Sequence, residues 1–199
     1  MSFRKEKKFR LTLSDSLILE SQLISDGMKK IYPARKIYSQ YLDTIDLKMF
    51  NESEEGLIPR KKIRARWYKN KNEVSLETKI SSLEGRYKIT KKIDLELLSN
   101  ICSKGHFDKD YGFLYPSLVV TYARKYYLWK NMRITFDSDI EYCNSRYDSG
   151  SLMKDFENVL EIKTLINIPD DYIEKNFGHQ TSRFSKYCRG ILISEKQLF

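Results

Sequence analysis

Between Pro59 and Lys79 the chain reads PRKKIRARWYKNKNEVSLETK, two stretches of alternating polar and apolar residues around a polar break. Side chains on a strand point to opposite faces in turn, so the pattern predicts two β-strands joined by a turn at Lys69–Asn72. Lys62, Arg64, Arg66 and Tyr68 then share one face of the first strand, and Ile63, Ala65 and Trp67 the other. On the second strand Ser75, Glu77 and Lys79 fall opposite Val74, Leu76, Thr78 and Ile80. A solvated outer face would alternate in the same way, so the pair decides nothing unless the pattern recurs.

It recurs along the chain. Arg4–Leu13 alternates as a strand, with Glu6 and Lys8 opposite Phe9, Leu11 and Leu13. A helix should follow, capped by Ser14 or Asp15, with Leu17, Ile18, Leu23 and Ile24 as its buried stripe and Gly27 at its end. Lys36–Leu42 reads as a strand, and Asp43–Glu55 as a connection with a helical turn around Leu47–Phe50. A hairpin turning near Glu84–Gly85 sets Arg86, Lys88 and Thr90 on one face. Asp94–Cys102 has a short helical pattern, and Ser103–Tyr115 reads as loop. Pro116–Trp129 and Met132–Tyr142 are strands around a tight turn at Lys130–Asn131. Tyr122, Arg124 and Tyr126 share a face, as do Arg133, Thr135 and Asp137. Asn144–Glu157 is a polar connection, and Val159–Ile166 a strand that aligns Glu161 with Lys163. Pro169–Phe177 starts as a helix does, and Ser185–Lys186–Tyr187 follows a turn at Gly178–Ser182.

Seven or eight strands with ions at period two fit either an open sandwich with solvated outer faces or a closed barrel around a polar lumen. The kind of ion changes the picture. Most are Arg and Lys, and three carboxylates each lie two residues before a lysine: Glu6/Lys8, Glu77/Lys79 and Glu161/Lys163.

The 199 residues suit one domain spanning 1–199. A formal net charge of +9 points to an anionic partner. Cys102, Cys143 and Cys188 are far apart, with no CxxC spacing, which argues against a disulfide framework or a zinc site and for a reduced, cytoplasmic protein. There is no signal-peptide pattern and no membrane-spanning run. His106 and His179 fall in predicted loops, and no Ser/His/Asp or Cys/His arrangement stands out.

Cations converging on one place repel one another unless a polyanion joins them, and phosphate is the natural one, gripped bidentately by Arg and as a point charge by Lys. Carboxylates among them can hold Mg²⁺ or Mn²⁺ bridged to phosphate oxygens. This combination suits phosphoryl transfer, which runs on positioning and charge neutralisation.

Eight short motifs lie in order along nearly the whole chain: R-x-E-x-K-F at Arg4–Phe9, K-x-R-x-R at Lys62–Arg66, L-E-T-K at Leu76–Lys79, R-Y-K at Arg86–Lys88, Y-x-R at Tyr122–Arg124, R-I-T-F-D at Arg133–Asp137, L-E-I-K at Leu160–Lys163 and S-K-Y at Ser185–Tyr187. In this order they resemble the triphosphate tunnel metalloenzymes, and within them the VTC-type polyphosphate polymerase domain more than the CYTH-type triphosphatases and cyclases. The resemblance implies a mainly β fold, an eight-stranded antiparallel tunnel with a basic lumen and flanking helices. It also implies transfer of the γ-phosphoryl of ATP to inorganic polyphosphate, with Mn²⁺ or Mg²⁺.

Carried over by position, Lys8, Arg64, Arg66, Lys79, Arg124 and Lys186 take the catalytic places. Lys62, Lys88, Tyr122, Arg133, Lys163 and Ser185 bind substrate. Glu161 is the expected metal ligand, with Glu6 and Glu77 as weaker candidates. Eukaryotic members carry SPX and membrane domains that this sequence lacks, which favours a stand-alone bacterial form. Two alternatives stay open on the same fold: a tripolyphosphatase, with water as acceptor, and a non-catalytic polyphosphate-binding module. Nucleic acid is not the expected partner, because no RNP-like motif accompanies the basic strands.

Overall fold

The computed structural model describes residues 4–69, 73–147, 151–165 and 167–195. Along these residues run β1 (Arg4–Leu11), α1 (Leu13–Ser25), β2 (Lys29–Asp43), α2 (Lys48–Glu55), β3 (Arg60–Tyr68), β4 (Val74–Ser82), β5 (Gly85–Ile93), α3 (Leu95–Lys104), β6 (His106–Asp108), β7 (Gly112–Trp129), β8 (Met132–Asn144), β9 (Leu152–Lys154), β10 (Asn158–Leu165), α4 (Asp170–Phe177) and α5 (Lys186–Ser194). Eight strands are long and two, β6 and β9, are short. The fold is mainly β with antiparallel pairing and flanking helices, as the resemblance implies.

The chain forms two compact units, each gathered from separate stretches. Unit 1 comprises Met1–Lys36, Tyr122–Ile140 and Lys154–Phe184; unit 2 comprises Ile37–Thr121, Glu141–Met153 and Ser185–Phe199. The long strands β2, β7 and β8 give residues to both.

In unit 1 the strands run in the order β1-β10-β8-β7-β2. The β1/β10 register sets Glu6 against Lys163 and Lys8 against Glu161. Glu161 in turn faces Thr135 on β8. The apolar parity of these strands supplies Phe9, Leu11, Ile134, Phe136, Leu160 and Ile162 to a core closed by Leu19 and Leu23 of α1 and Ile173 and Phe177 of α4. Burying a side chain of this kind is worth roughly 2 kcal/mol. Lys130 and Asn131 both have positive φ, 46° and 61°. This is the mirror-image turn that suits the twist of a two-residue hairpin, at the place the sequence marks for it.

Helix α1 departs from expectation. Its cap is Thr12, whose Oγ1 accepts from the Asp15 amide at 3.1 Å, so the strand stops short of Leu13. The buried stripe is Ser16, Leu19, Glu20 and Leu23, while Leu17, Ile18 and Ile24 are at least half exposed. Glu20 explains the rotation. Its carboxylate accepts from the Tyr127 hydroxyl and from Lys125, and these polar partners turn that face inward.

In unit 2 the order is β7-β2-β3-β4-β5, with β6 beside β7 and β9 beside β8. Across β3 and β4, Lys62 faces Lys79, Arg64 faces Glu77 and Arg66 faces Ser75. Across β4 and β5, Lys79 faces Lys88 and Glu77 faces Thr90. Most of the turn expected at Lys69–Asn72 lies outside the described residues, as does the strand end expected at Ile166. The opposite parity buries Ile63, Ala65 and Val74 with Leu42, Met49, Ile93, Ile101 and Leu114.

Two expectations need correction here, and the tail, for which the sequence predicts no element, adds a helix. The helical turn expected at Leu47–Phe50 is the start of a full helix, because the Asp43 carboxylate accepts from the amides of Met49 and Phe50, both at 2.9 Å. The expected loop Ser103–Tyr115 contains β6 and the start of β7, joined by an edge-to-face pair of Phe107 and Phe113. The tail forms helix α5, capped by Ser185. The glycine within α5, Gly190, lowers helix propensity yet is required: a Cβ there would lie 2.5 Å from both Leu118 and Tyr142.

Candidate functional site

Unit 2 gathers its cations on one face of β3, β4 and β5. Lys62, Lys79 and Lys88 stand in a row, each directly opposite the next, and like charges placed this way repel. Beside the row, Arg64 donates to Glu77 from Nε at 2.8 Å and from Nη2 at 2.6 Å. Lys88 donates to the other carboxylate oxygen at 2.8 Å, and Arg66 approaches to 3.5 Å. One buried carboxylate thus serves three cations. Burial alone would raise the Glu77 carboxyl, but Arg64, Arg66 and Lys88 outweigh it and hold it far below the usual range.

Tyr41, from β2, reports the same field. Its hydroxyl accepts from Arg64 at 2.8 Å. Burial pushes the phenol up, yet Arg64, Arg66 and Lys62 together bring it below its ordinary value. Lys62 also donates to Ser185 Oγ at 2.8 Å, and Ser185 caps α5. Lys186 is therefore the first residue of that helix, where a cation opposes the helix dipole. The helix is anchored behind by the Tyr187 hydroxyl, which donates to Asp43 at 2.5 Å.

In unit 1 the two Glu-x-Lys stretches interlock. Glu6 lies 3.2 Å from Lys8 and 3.7 Å from Lys163, and Lys163 lies 3.0 Å from Glu161. Lys8 also donates to the Phe184 carbonyl at 3.0 Å. Arg124, on β7, is clamped by the wholly buried Asp137 at 2.5 and 2.7 Å and comes within 3.9 Å of Glu161. Its guanidinium lies over the Tyr122 ring, 5.2 Å from the centroid. Arg133 is exposed and faces Lys163 across β8 and β10.

The residues expected from the sequence therefore fall into two groups. Lys62, Arg64, Arg66, Glu77, Lys79, Lys88, Ser185 and Lys186 belong to unit 2; Glu6, Lys8, Tyr122, Arg124, Arg133, Glu161 and Lys163 belong to unit 1. Sequence reasoning missed Tyr41, whose parity on β2 places it with Arg64. It set Asp137 on a strand face with Arg133 but gave it no partner, and the structure pairs it with Arg124.

The donor set suits a hard cation on one of these faces. Glu6 and Glu161 both reach the Lys163 ammonium, so two carboxylates converge where one positive charge now sits. Opposite Glu161, the buried Thr135 hydroxyl has no hydrogen-bond partner among the described residues. Among those residues no three His, Cys, Asp or Glu side chains assemble as a metal cage. Mg²⁺ held by one or two carboxylates plus substrate phosphates needs none. Glu77, by contrast, has both oxygens engaged by cations.

Several solved structures share this fold. The Hippeastrum protein HpAC1, described as revealing a dominant triphosphatase activity, aligns over 99% of this chain and 98% of its own at 15% identity, with a TM-score of 0.61. PH1012 from Pyrococcus horikoshii aligns over 94% and 99% at 13% identity, with a TM-score of 0.60. A Bacillus halodurans protein provisionally assigned as an adenylate cyclase aligns over 92% and 94% at 12% identity, with a TM-score of 0.63. No curated protein sequence matched. The VTC domain model matches residues 3–194, and the chain belongs to the VTC domain family. Among the described residues, no helix is long and apolar enough to cross a membrane.

Proposed function

We propose that this protein transfers the γ-phosphoryl group of ATP to the end of an inorganic polyphosphate chain, with Mn²⁺ or Mg²⁺ as its metal. The row Lys62–Lys79–Lys88, flanked by Arg64 and Arg66 around a single carboxylate, carries the reading. Five cations on three adjacent strands are a standing repulsion that a polyanion relieves. Arg64 and Arg66 offer planar forks to phosphate oxygens, and the lysines offer compact charge. Ser185 adds a hydroxyl, and Lys186 adds charge at a helix N-terminus whose amides already favour an anion. In unit 1, Lys8, Arg124, Arg133 and Lys163 serve phosphate oxygens in the same way, and Tyr122 contributes its hydroxyl.

Glu161 and Glu6 are the residues that would hold the cation, which neutralises charge on the phosphate oxygens when bound. The nucleophile is the terminal oxygen of the polyphosphate chain, already ionised, so no side-chain base is required. As its bond to the γ-phosphorus forms, the bond to the bridging β-oxygen breaks and ADP leaves. Arginine and lysine donors aimed at those oxygens stabilise the charge that develops.

Water as acceptor is the second reading, favoured by the triphosphatase activity ascribed to HpAC1. One incubation with ATP and Mn²⁺ separates the two, read on a polyphosphate-staining gel with free phosphate assayed in parallel. Long chains with little free phosphate support the polymerase, and free phosphate without chains supports the hydrolase. Neither product would sink both and leave a polyphosphate-binding module.

A further inference from the structure

We infer that Tyr32, braced by Arg35, is the platform on which the base of the nucleoside triphosphate stacks, an inference that rests on the reading of ATP as phosphoryl donor given above. Tyr32 and Arg35 lie on β2, in the part of it that belongs to unit 1. The Tyr32 ring meets the Tyr126 ring of β7 edge to face, with centroids 5.8 Å apart. The Arg35 guanidinium lies over both rings, 5.6 Å from each centroid. Residues three apart on a regular strand point to opposite faces, so bringing both side chains to one neighbouring ring is a specific local arrangement. Tyr126 is 5% exposed, whereas Tyr32 is 48% exposed. A cation over an aromatic ring helps to hold it in place, and the ring held here keeps much of its surface in water.

Position along β7 gives the platform its occupant. Tyr122, Arg124 and Tyr126 alternate on one side of that strand, while Tyr127 and Trp129, of the other parity, are packed in the core with Leu19 and Leu23 of α1. Arg124 is one of the cations assigned to phosphate above, and Tyr126 follows it two residues on, roughly 7 Å along the strand. Tyr32 stands against Tyr126, so an open aromatic ring flanks the phosphate-handling face of unit 1. A nucleoside triphosphate has both matching features, an anionic chain joined through a ribose to a flat base. Inorganic polyphosphate has nothing to offer the ring. Stacking on an aromatic side chain accepts any base, so the platform favours a nucleotide over bare polyphosphate without choosing among nucleotides.

The test uses the full chain and calorimetric titration with two probes, the β,γ-imido analogue of ATP and inorganic tripolyphosphate, each with Mn²⁺. Tyr32→Ala should bind the ATP analogue about 10-fold more weakly and tripolyphosphate like wild type. Tyr32→Phe keeps the ring and should keep the affinity for the analogue. If Tyr32→Ala binds the analogue like wild type, the inference fails and ATP survives as donor. An equal loss for both probes, or a loss of analogue affinity in Tyr32→Phe, would mark Tyr32 as a structural residue and overturn the inference. If the wild type binds tripolyphosphate but not the analogue, the reading of ATP as donor falls and the inference falls with it.

Discussion

Arg64 donates from both Nε and Nη2 to a single oxygen of Glu77, while Lys88 occupies the other. Glu77 is 4% exposed and Arg64 8%, so this exchange takes place largely out of water. Glu77→Gln keeps the shape but takes the carboxylate away from the buried Arg64, a change that costs about 3 kcal/mol when one partner of a buried pair is lost. The variant should melt earlier than wild type, and tripolyphosphate should raise its melting temperature by more than it raises that of wild type. Equal melts for the two proteins would show that the carboxylate does not hold the cluster together.

The same carboxylate sets an acid limb. Its folded pKa lies below the ordinary 4.5, so its contribution is fully present above that pH and drains away as pH falls through and below it. Asp43 works in the opposite sense, because burial raises its carboxyl despite four donors. Urea midpoints measured from pH 6 to pH 3 should fall below about pH 4.5, and the fall should be shallower in Glu77→Gln. An identical slope in both proteins would assign the acid limb to other groups.

Lys186 opens α5 at the end where the helix dipole disfavours a cation. Lys186→Ala should leave the melting temperature unchanged or raise it slightly. On the proposed function, it should also reduce phosphoryl transfer on the order of 100-fold or more. The check is a steady-state assay paired with a thermal melt. Retained turnover would remove Lys186 from the catalytic set.

Gly190→Ala should destabilise by up to about 2 kcal/mol. Alanine is the better helix former by about 1 kcal/mol, but its methyl would sit 2.5 Å from Leu118 and Tyr142, and overpacking typically costs about 1–3 kcal/mol. Equilibrium urea unfolding gives the sign. A gain in stability would mean that the contact relaxes without cost.

Period-two alternation carried most of the strand architecture, because apolar and charged residues keep opposite parities: Ile63 and Ala65 on one side, Lys62, Arg64 and Arg66 together on the other. It also aligned Glu161 with Lys163 before any pairing was known. Local patterns failed where a distant partner decided the outcome. The buried face of α1 is fixed by Tyr127 and Lys125 reaching Glu20, more than a hundred residues away in sequence. Helix α2 depends on Asp43 several residues upstream, and α5 contains a glycine that reads as a breaker until its neighbours are seen. Tyr41 gave no signal of its own, since a tyrosine on a strand is ordinary until a guanidinium is placed against it.

The interlocked Glu-x-Lys stretches of β1 and β10 have a consequence for strand alignment. A slip of one residue would turn every apolar side chain outward and is forbidden by the core. A slip of two keeps parity, and the core hardly senses it. The charges do: shifted one way, Glu6 would face Glu161, and shifted the other, Lys8 would face Lys163. The observed alignment, with Glu6 against Lys163 and Lys8 against Glu161, is the one that sets opposite signs against each other at both places. Side chains suited to handling phosphate and metal thus also act as a vernier that fixes how one strand is read against the next.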